Sequence, residues 1–453
     1  MFQKILIANR GEIAVRIIRS CMYMGIETIA VYSEVDKDSL HVQLADEAIC
    51  IGKAKSTESY LNMENIITAA INKGAEAIHP GFGFLSENAA FAELCETVGI
   101  TFIGPSSKTI RQMGDKSKAR ELMTQANVPV VPGSNGCVKD LSNAKELAKE
   151  IGFPILIKAS AGGGGRGMRI AYTMDEFASS FDTAKTEAKN AFGDGSMYLE
   201  KYLENPKHIE FQILCDKYGN TIHLGERDCS IQRRNQKVIE EAPSLIKSSI
   251  REKMAQAAIK ACKSVHYENA GTIEFLLSDD NFYFIEMNTR IQVEHPITEM
   301  ITGIDIIKEQ IKIAAGEKLS FKQKDIQFRG HSIECRLNAE NPKHNFRPSP
   351  GEISLLHIPS GPGIRFDSFI FTGSIIQSYY DSMIGKLIIH DNSRSEAIKK
   401  MQAALEELVI RGVNTNQSFL YMIINNPKYI KNKFNTAFID LNLEALLEYD
   451  DNE

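Results

Sequence analysis

The sequence predicts an α/β and α+β protein in three successive styles. An N-terminal doubly wound parallel sheet comes first, then a small lobe with a glycine-rich flap, then a large, mostly antiparallel C-terminal lobe. Three observations predict it. Strand and helix periods alternate through residues 1–113. Five glycines fall within residues 162–167, between two strand-like runs. From His208 onward, period-2 runs such as HIEFQILC predominate. The length of 453 residues suits about three domains at roughly 150 residues each.

Taken in order, Lys4–Ala8 reads as a strand, Glu12–Met24 as a helix and Glu27–Tyr32 as a strand. Tyr60–Asn72 has helical periodicity, Ala77–Ile78 is a short strand, Ala89–Val98 a helix and Thr101–Ile103 a strand. The loops Asn9-Arg10-Gly11 and 79–88 both follow strands. They fall at the carboxyl edge, where doubly wound sheets gather ligands. NVPVVPGS (127–134) breaks the pattern with two prolines and a glycine. Next come a helix (142–150), a strand (Pro154–Lys158), the glycine loop, a strand (Met168–Ala171) and a helix (174–190). Helices at 249–265 and 303–315 interrupt the later β pattern, and a final α/β portion starts at Gly330. The expected divisions are 1–113, 114–205 (with the flap lobe at 130–203), 206–330 and 331–453.

The net charge is −6. This argues against a general binder of nucleic acid or membrane surfaces, which carries a basic face. No run approaches the ~18 apolar residues of a membrane span. The opening MFQKILIANRGE lacks a secretory signal, so a cytoplasmic location is expected. The two nearest of the eight cysteines, Cys215 and Cys229, are fourteen apart. That spacing excludes a CxxC zinc or redox motif.

The chemistry concentrates in a few places. Gly162–Gly167 formally fits GxGxxG, but it joins two strands rather than opening a helix, and no Walker A motif occurs. A strand–glycine–strand hairpin suits a flap whose N–H groups cover phosphates; a plain flexible hairpin is the other reading. Lys158 ends the strand PILIK and can set a point charge against phosphates, or snorkel at the surface. Lys116 sits at a helix start, where N–H groups are free. A protein kinase is disfavoured, because the lysine precedes the glycine loop and HRD and DFG are absent.

Thr272–Leu277 and Phe282–Met287 read as a hairpin around Ser278–Asn281. Glu286 and Asn288 share a face, with Glu274 roughly opposite Glu286. Two carboxylates and an amide suit Mg²⁺ or Mn²⁺ bridged to phosphates, or form an exposed polar face. Arg290, Gln292 and Glu294 continue the same parity. Arginine can take a planar oxyanion bidentately, with a carboxylate as general base beside it; a surface Arg290–Glu294 pair is the alternative. The charged run 225–243 holds Arg227, Arg233, Arg234 and Lys237 against Glu226, Asp228, Glu240 and Glu241. It reads as a solvated loop or as a cleft for anions. Arg336, amid the alternation HSIECRL, needs a partner if buried.

Together, IANRGEIAVRI (7–17), HPGFGFLSENA (79–89), the 158–167 loop, EKYLENPKHIEFQ (200–212), ERDCSIQRR (226–234) and EMNTRIQVEHPITE (286–299) resemble the biotin carboxylase family. NFRPSPG (345–351) and YYDSMIGKL (379–387) extend the resemblance over essentially the whole chain. It implies an ATP-grasp fold. It also implies an ATP-dependent ligase that forms carboxyphosphate from bicarbonate and then carboxylates biotin. On this resemblance Lys116, Lys158 and the flap glycines Gly163, Gly164, Gly165 and Gly167 hold phosphates. Glu200 and the backbone around Tyr202 and Leu203 hold adenine, His208 and Gln232 contact ribose or nearby nucleotide atoms, and Lys201 and Asn235 belong to the ATP-binding side. Glu274 and Glu286, with Asn288 close by, ligate two Mg²⁺ or Mn²⁺ ions. Arg290, Gln292, the Val293 backbone and Lys237 grip bicarbonate, and Glu294 is its base. Arg336 stabilises the biotin enolate, with Phe82 on the biotin side.

Four positions depart from the family pattern: Ala161, often glycine; Asn235, often His; Phe82, often Tyr; and Asn414, often Lys. No AMKM-like biotinyl-lysine motif occurs within these 453 residues, and the carboxyltransferase domain is expected on another chain. The expected partners are therefore a separate biotin carboxyl carrier protein and carboxyltransferase subunits, most simply those of an acetyl-CoA carboxylase in fatty acid synthesis. The alternatives are a pyruvate or other acyl-CoA carboxylase, or another ATP-grasp ligase. The family also implies a homodimer.

Overall fold

The computed structural model describes residues 1–134, 136–160 and 167–448. Ala161 and the flap glycines Gly163, Gly164 and Gly165 lie outside the described residues.

The N-terminal region is a five-stranded parallel sheet ordered β3-β2-β1-β4-β5. Its strands are β1 (Lys4–Ile7), β2 (Glu27–Ser33), β3 (Glu47–Gly52), β4 (Ala77–His79) and β5 (Thr101–Phe102). The helix α1 (Gly11–Met24) buries Ile13, Ile17, Ile18 and Cys21, and ends at Gly25 with φ 70°. Strand β3 escapes the sequence reading because it is an edge strand, half exposed, without apolar alternation. The helix expected over Tyr60–Asn72 starts at Met63, because the Asn62 side chain caps it by accepting from Asn65 N–H.

The small lobe is a three-stranded antiparallel sheet ordered β7-β6-β8. Its strands are β6 (Ile155–Ala159), β7 (Met168–Ala171) and β8 (Met197–Lys201), backed by helices Leu141–Ile151 and Met174–Phe192. Ile155 and Ile157 pack with Phe177, Phe181 and Leu199. The period of two turns Leu156 and Lys158 to the other face. Gly167 has φ 67°, and a Cβ there would lie 3.0 Å from Ala159 Cβ and 3.1 Å from Ala188 Cβ. The end of the flap is therefore glycine for packing as well as for backbone freedom.

The large lobe is an eight-stranded antiparallel sheet ordered β13-β12-β9-β10-β11-β14, then Met383–Asp391 and Ile364–Ser368. Its first strands are β9 (Lys207–Cys215), β10 (Thr221–Arg233), β11 (Gln236–Ala242), β12 (Asn269–Ser278), β13 (Asn281–Asn288) and β14 (His331–Asn338). One continuous sheet thus joins residues 206–330 to residues 331–453. Ile209, Phe211, Ile213, Ile273 and Phe275 pack under helix Ser248–Ser264. Alternation then sends His208, Glu210, Gln212, Thr272 and Glu274 to the opposite face. The second helix foreseen at 303–315 starts at Ile306, since Gly303 ends its predecessor and Asp305 caps it. No helix among the described residues is long and apolar enough to cross a membrane.

Candidate active site

A cavity of about 1340 Å³ opens between the carboxyl edge of the parallel sheet, the small lobe and the polar face of the large sheet. Every described candidate residue lines it except Glu294, which is wholly buried behind Lys237 and Arg336.

The charged run 225–243 is not a solvated loop. It forms β10 and β11, and Arg227, Glu226, Asp228, Glu240 and Glu241 are all buried. The turn between these strands has two left-handed residues, Arg234 (φ 51°) and Asn235 (φ 62°). Asparagine tolerates this conformation well, which gives Asn235 a backbone reason for its presence at the cavity wall. Near the start of β11, Lys237 reaches three carboxylates. Its Nζ lies 2.5 Å from Glu210 Oε2, 2.8 Å from Glu274 Oε1 and 2.7 Å from Glu294 Oε1. Burial alone would lower this ammonium; the three carboxylates outweigh it and hold Lys237 well above the usual lysine range.

Glu294 is gripped from both sides. Arg336 on β14 places Nη2 2.8 Å from Glu294 Oε2, and its Nε donates to Glu240 Oε1 at 2.6 Å. Burial would raise the Glu294 carboxyl, but Lys237, Arg336 and Arg227 pull it well below the usual carboxylate range. Glu240 fares differently: burial pushes it up to about 7, against Arg336. Arg336 is thus a half-buried cation at the cavity wall with the partners it requires.

Glu274 and Glu286 are direct register partners across β12 and β13. Glu274 is enclosed: it pairs with His208 Nε2 at 3.0 Å and Lys237, and accepts from Asn288 Nδ2 and Gln292 Nε2, each at 2.9 Å. Burial opposes ionisation of Glu274, yet Lys237 and His208 hold it well below the ordinary range. Glu286 stays half-buried, with Lys116 Nζ at 3.4 Å. The hard oxygen donors Glu274, Glu286 and Asn288 lie together on the cavity wall, so the donor chemistry fits a small divalent cation.

The strand ends at Asn288, so the parity expected for Arg290, Gln292 and Glu294 does not come from a pleat. They lie in the bend leading to helix His295–Thr302. Arg290 turns to Glu87, with Nε 3.1 Å from Oε2, and donates to Asn288 Oδ1 at 3.1 Å. The Val293 carbonyl accepts from Lys386 Nζ at 2.7 Å.

On the small-lobe side, Lys158 Nζ lies 2.5 Å from Glu200 Oε2, and Arg120 binds the other oxygen at 3.1 Å. Lys201 is turned onto the carbonyls of Gly152 and Phe153. Tyr202 and Leu203 follow β8 along the cavity, and Gln232 Nε2 meets His208 Nδ1 at 2.8 Å. Phe82 lines the cavity while its carbonyl accepts from Asn9 Nδ2. Asn414 stands apart, against Ser349.

Sequence reasoning missed Glu210, Glu87 and Lys386. Glu210 looked like one more alternating strand residue. Its importance comes from Arg227, its register partner across β9 and β10, which is fully buried and donates to it at 2.5 Å.

The family models match this layout. "Biotin carboxylase, N-terminal domain" matches residues 1–110 and "Carbamoyl-phosphate synthase L chain, ATP binding domain" matches 115–322. "Biotin carboxylase C-terminal domain" matches 334–441. The chain is 58% identical to the biotin carboxylase of Nostoc sp. over 97% of its own length and 98% of that protein's. The chain belongs to the biotin carboxylase family. Its fold is the family's ATP-grasp fold, and its activity is the family's ATP-dependent carboxylation of biotin. A pyruvate carboxylase subunit of Methanothermobacter thermautotrophicus is 53% identical, covering 97% of this chain and 90% of that one. The biotin carboxylase domain dimer of 2-oxoglutarate carboxylase from Hydrogenobacter thermophilus, solved with MgADP, ADP and bicarbonate, superposes with a TM-score of 0.95. It is 52% identical and covers 99% of this chain and 100% of that one.

Proposed function

We propose that this chain carries out the first half-reaction of an acetyl-CoA carboxylase, carboxylating biotin on a separate carrier protein. The observation that carries the site assignment is Glu294, wholly buried and held between Lys237 and Arg336. In this reading bicarbonate enters beside Arg290, Gln292, the Val293 N–H and Lys237. Its O–H proton passes to a Glu294 oxygen. The cations that depress Glu294 also acidify bicarbonate bound among them, and the incoming anion competes for Lys237, so the two proton affinities converge. A bicarbonate oxygen then attacks the γ-phosphorus of ATP, the bond to ADP breaks, and carboxyphosphate forms. Carboxyphosphate splits into CO₂ and phosphate; phosphate takes the ureido proton of biotin, and the nitrogen attacks CO₂. Arg336 faces the enolate charge that develops, with Phe82 on the biotin side of the cavity.

Lys116, Lys158 and the glycine flap hold the phosphates, Glu200 to Leu203 flank adenine, and His208, Gln232 and Asn235 flank ribose. Glu274, Glu286 and Asn288 would hold Mg²⁺ or Mn²⁺, which neutralises phosphate charge when bound. The MgADP and bicarbonate of the Hydrogenobacter structure support this ligand set. That structure's dimer supports a homodimer here. The family-model limits support the divisions near 113 and 331, and the separate three-stranded sheet of the small lobe supports one near 205, giving 1–113, 114–205, 206–330 and 331–453, with the large sheet shared by the last two. Eight free thiols favour the reducing cytoplasm. The chain spans 98% of the Nostoc biotin carboxylase, which supports a carrier and a carboxyltransferase carried on other chains. A pyruvate or 2-oxoglutarate acceptor is the second reading, favoured by the Methanothermobacter and Hydrogenobacter relatives.

The test is phosphate release from Mg-ATP, omitting bicarbonate and biotin in turn. The reading requires bicarbonate dependence and stimulation by biotin; indifference to both overturns it. Carboxyl transfer from the charged carrier to acetyl-CoA, rather than to pyruvate or 2-oxoglutarate, then decides the acceptor.

A further inference from the structure

Helix His295–Thr302 and strand Met383–Asp391 each send a buried side chain back to the bend that precedes the helix. His295 is fully buried, and its Nδ1 lies 2.8 Å from the Gln292 carbonyl oxygen. A carbonyl only accepts, so Nδ1 carries the proton. Nε2 is then an unprotonated nitrogen, and it has no hydrogen-bond partner among the described residues. Burial, then Lys386, Arg16 and Arg365, hold this imidazole well below its usual range and so neutral. Lys386 is equally buried. Its Nζ lies 2.7 Å from the Val293 carbonyl oxygen and 2.9 Å from Glu12 Oε1 in the first turn of α1.

The Gln292–Val293 peptide is trans, as only Phe153-Pro154 and Ala242-Pro243 are cis among the described residues. In a trans peptide the N–H points opposite to the C=O. A pin on the Gln292 carbonyl therefore sets the direction of the Val293 N–H, away from His295. Val293 lines the cavity, and Glu294 follows it directly.

We propose that His295 and Lys386 are positioning residues that aim the Val293 N–H at bicarbonate and hold the Glu294 backbone, by pinning the Gln292 and Val293 carbonyls. Glu12 makes this a device spanning the chain: an N-terminal helix neutralises a C-terminal lysine that braces the central loop. The inference rests on the reading of this loop as the bicarbonate grip.

The test measures phosphate release with ATP and bicarbonate varied separately. His295→Leu removes the side-chain donor, leaving only the longer His295 backbone N–H contact at 3.4 Å, and is expected to raise the bicarbonate KM by about tenfold or more, leaving the ATP KM unchanged. His295→Asn keeps an N–H near the Nδ1 position and is expected to restore the KM to within about threefold of the parent. Lys386→Met would strand Glu12 in the core, so Glu12→Gln/Lys386→Met removes both charges of the pair; it too is expected to raise the bicarbonate KM alone. An unchanged bicarbonate KM in both His295→Leu and the double variant overturns the proposal. Equal losses in both KM values, without rescue by Asn, also overturn it, since they mark a structural role. Glu294→Gln separates the two levels. If it is inactive while the pinning variants are normal, only this inference fails. If it keeps bicarbonate-dependent turnover, the bicarbonate reading fails and the inference with it.

Discussion

Lys237 and Glu294 meet at 2.7 Å with the carboxylate wholly inside and the ammonium at the cavity wall. The pair is therefore asymmetric: an anion arriving from the cavity can take over part of the lysine without solvating the glutamate. Glu210 and Glu274 also compete for Lys237, so its charge is divided three ways before any substrate arrives. A site with that much buried negative charge is stable only with its cations in place.

Glu294→Gln keeps the shape and removes the proton acceptor. Bicarbonate-dependent phosphate release is expected to fall by about a hundredfold or more. Binding of an ATP analogue, followed by calorimetry, is expected to stay within about threefold, because no nucleotide-side residue touches Glu294. Joint loss of nucleotide binding would remove the general-base assignment.

Lys158→Gln probes the other end of the cavity. Its ammonium now rests on Glu200, which also holds Arg120. Losing a charge-assisted contact to phosphate is expected to raise the ATP KM by about tenfold to a hundredfold. The bicarbonate KM should not move. An equal rise in both would mean that Lys158 supports the small lobe rather than the phosphates.

Glu87 bridges two domains. It accepts from Thr289 N–H at 3.0 Å and from Arg290 Nε at 3.1 Å. Glu87→Gln should loosen Arg290 and raise the bicarbonate KM by about fivefold, the effect of a partly exposed pair worth roughly 1 kcal/mol. A bicarbonate KM equal to the parent's would assign Glu87 to domain contact alone.

What the sequence made legible follows from range. The Glu274–Glu286 register could be read because the two residues mirror each other around one short turn. Lys158 could be placed by a period of two on a strand with an apolar face. The Arg290–Gln292–Glu294 group was found for the wrong local reason, since a bend and not a pleat brings it together. Glu210, Glu87 and Lys386 stayed hidden because their partners lie far along the chain, at Lys237, Arg290 and Val293. Arg227 and Glu240 were visible as charges, but no pattern says that a charged run will become central strands covered on both faces.

His41 gives a pH test remote from the chemistry. It is fully buried beneath β2, with Nε2 3.3 Å from the Val31 carbonyl oxygen. Burial lowers its pKa from 6.5 to about 4, against the pull of Asp36. The folded state therefore resists a proton that the unfolded chain accepts. Stability from this group is complete above pH 6.5 and is lost as pH falls toward 4. At pH 5 the loss is on the order of 2 kcal/mol. Urea unfolding of the parent and of His41→Leu at pH 7.5 and pH 5 checks this. The parent should lose more stability than the variant between those two values. Equal losses would mean that His41 is hydrated or already protonated in the folded protein.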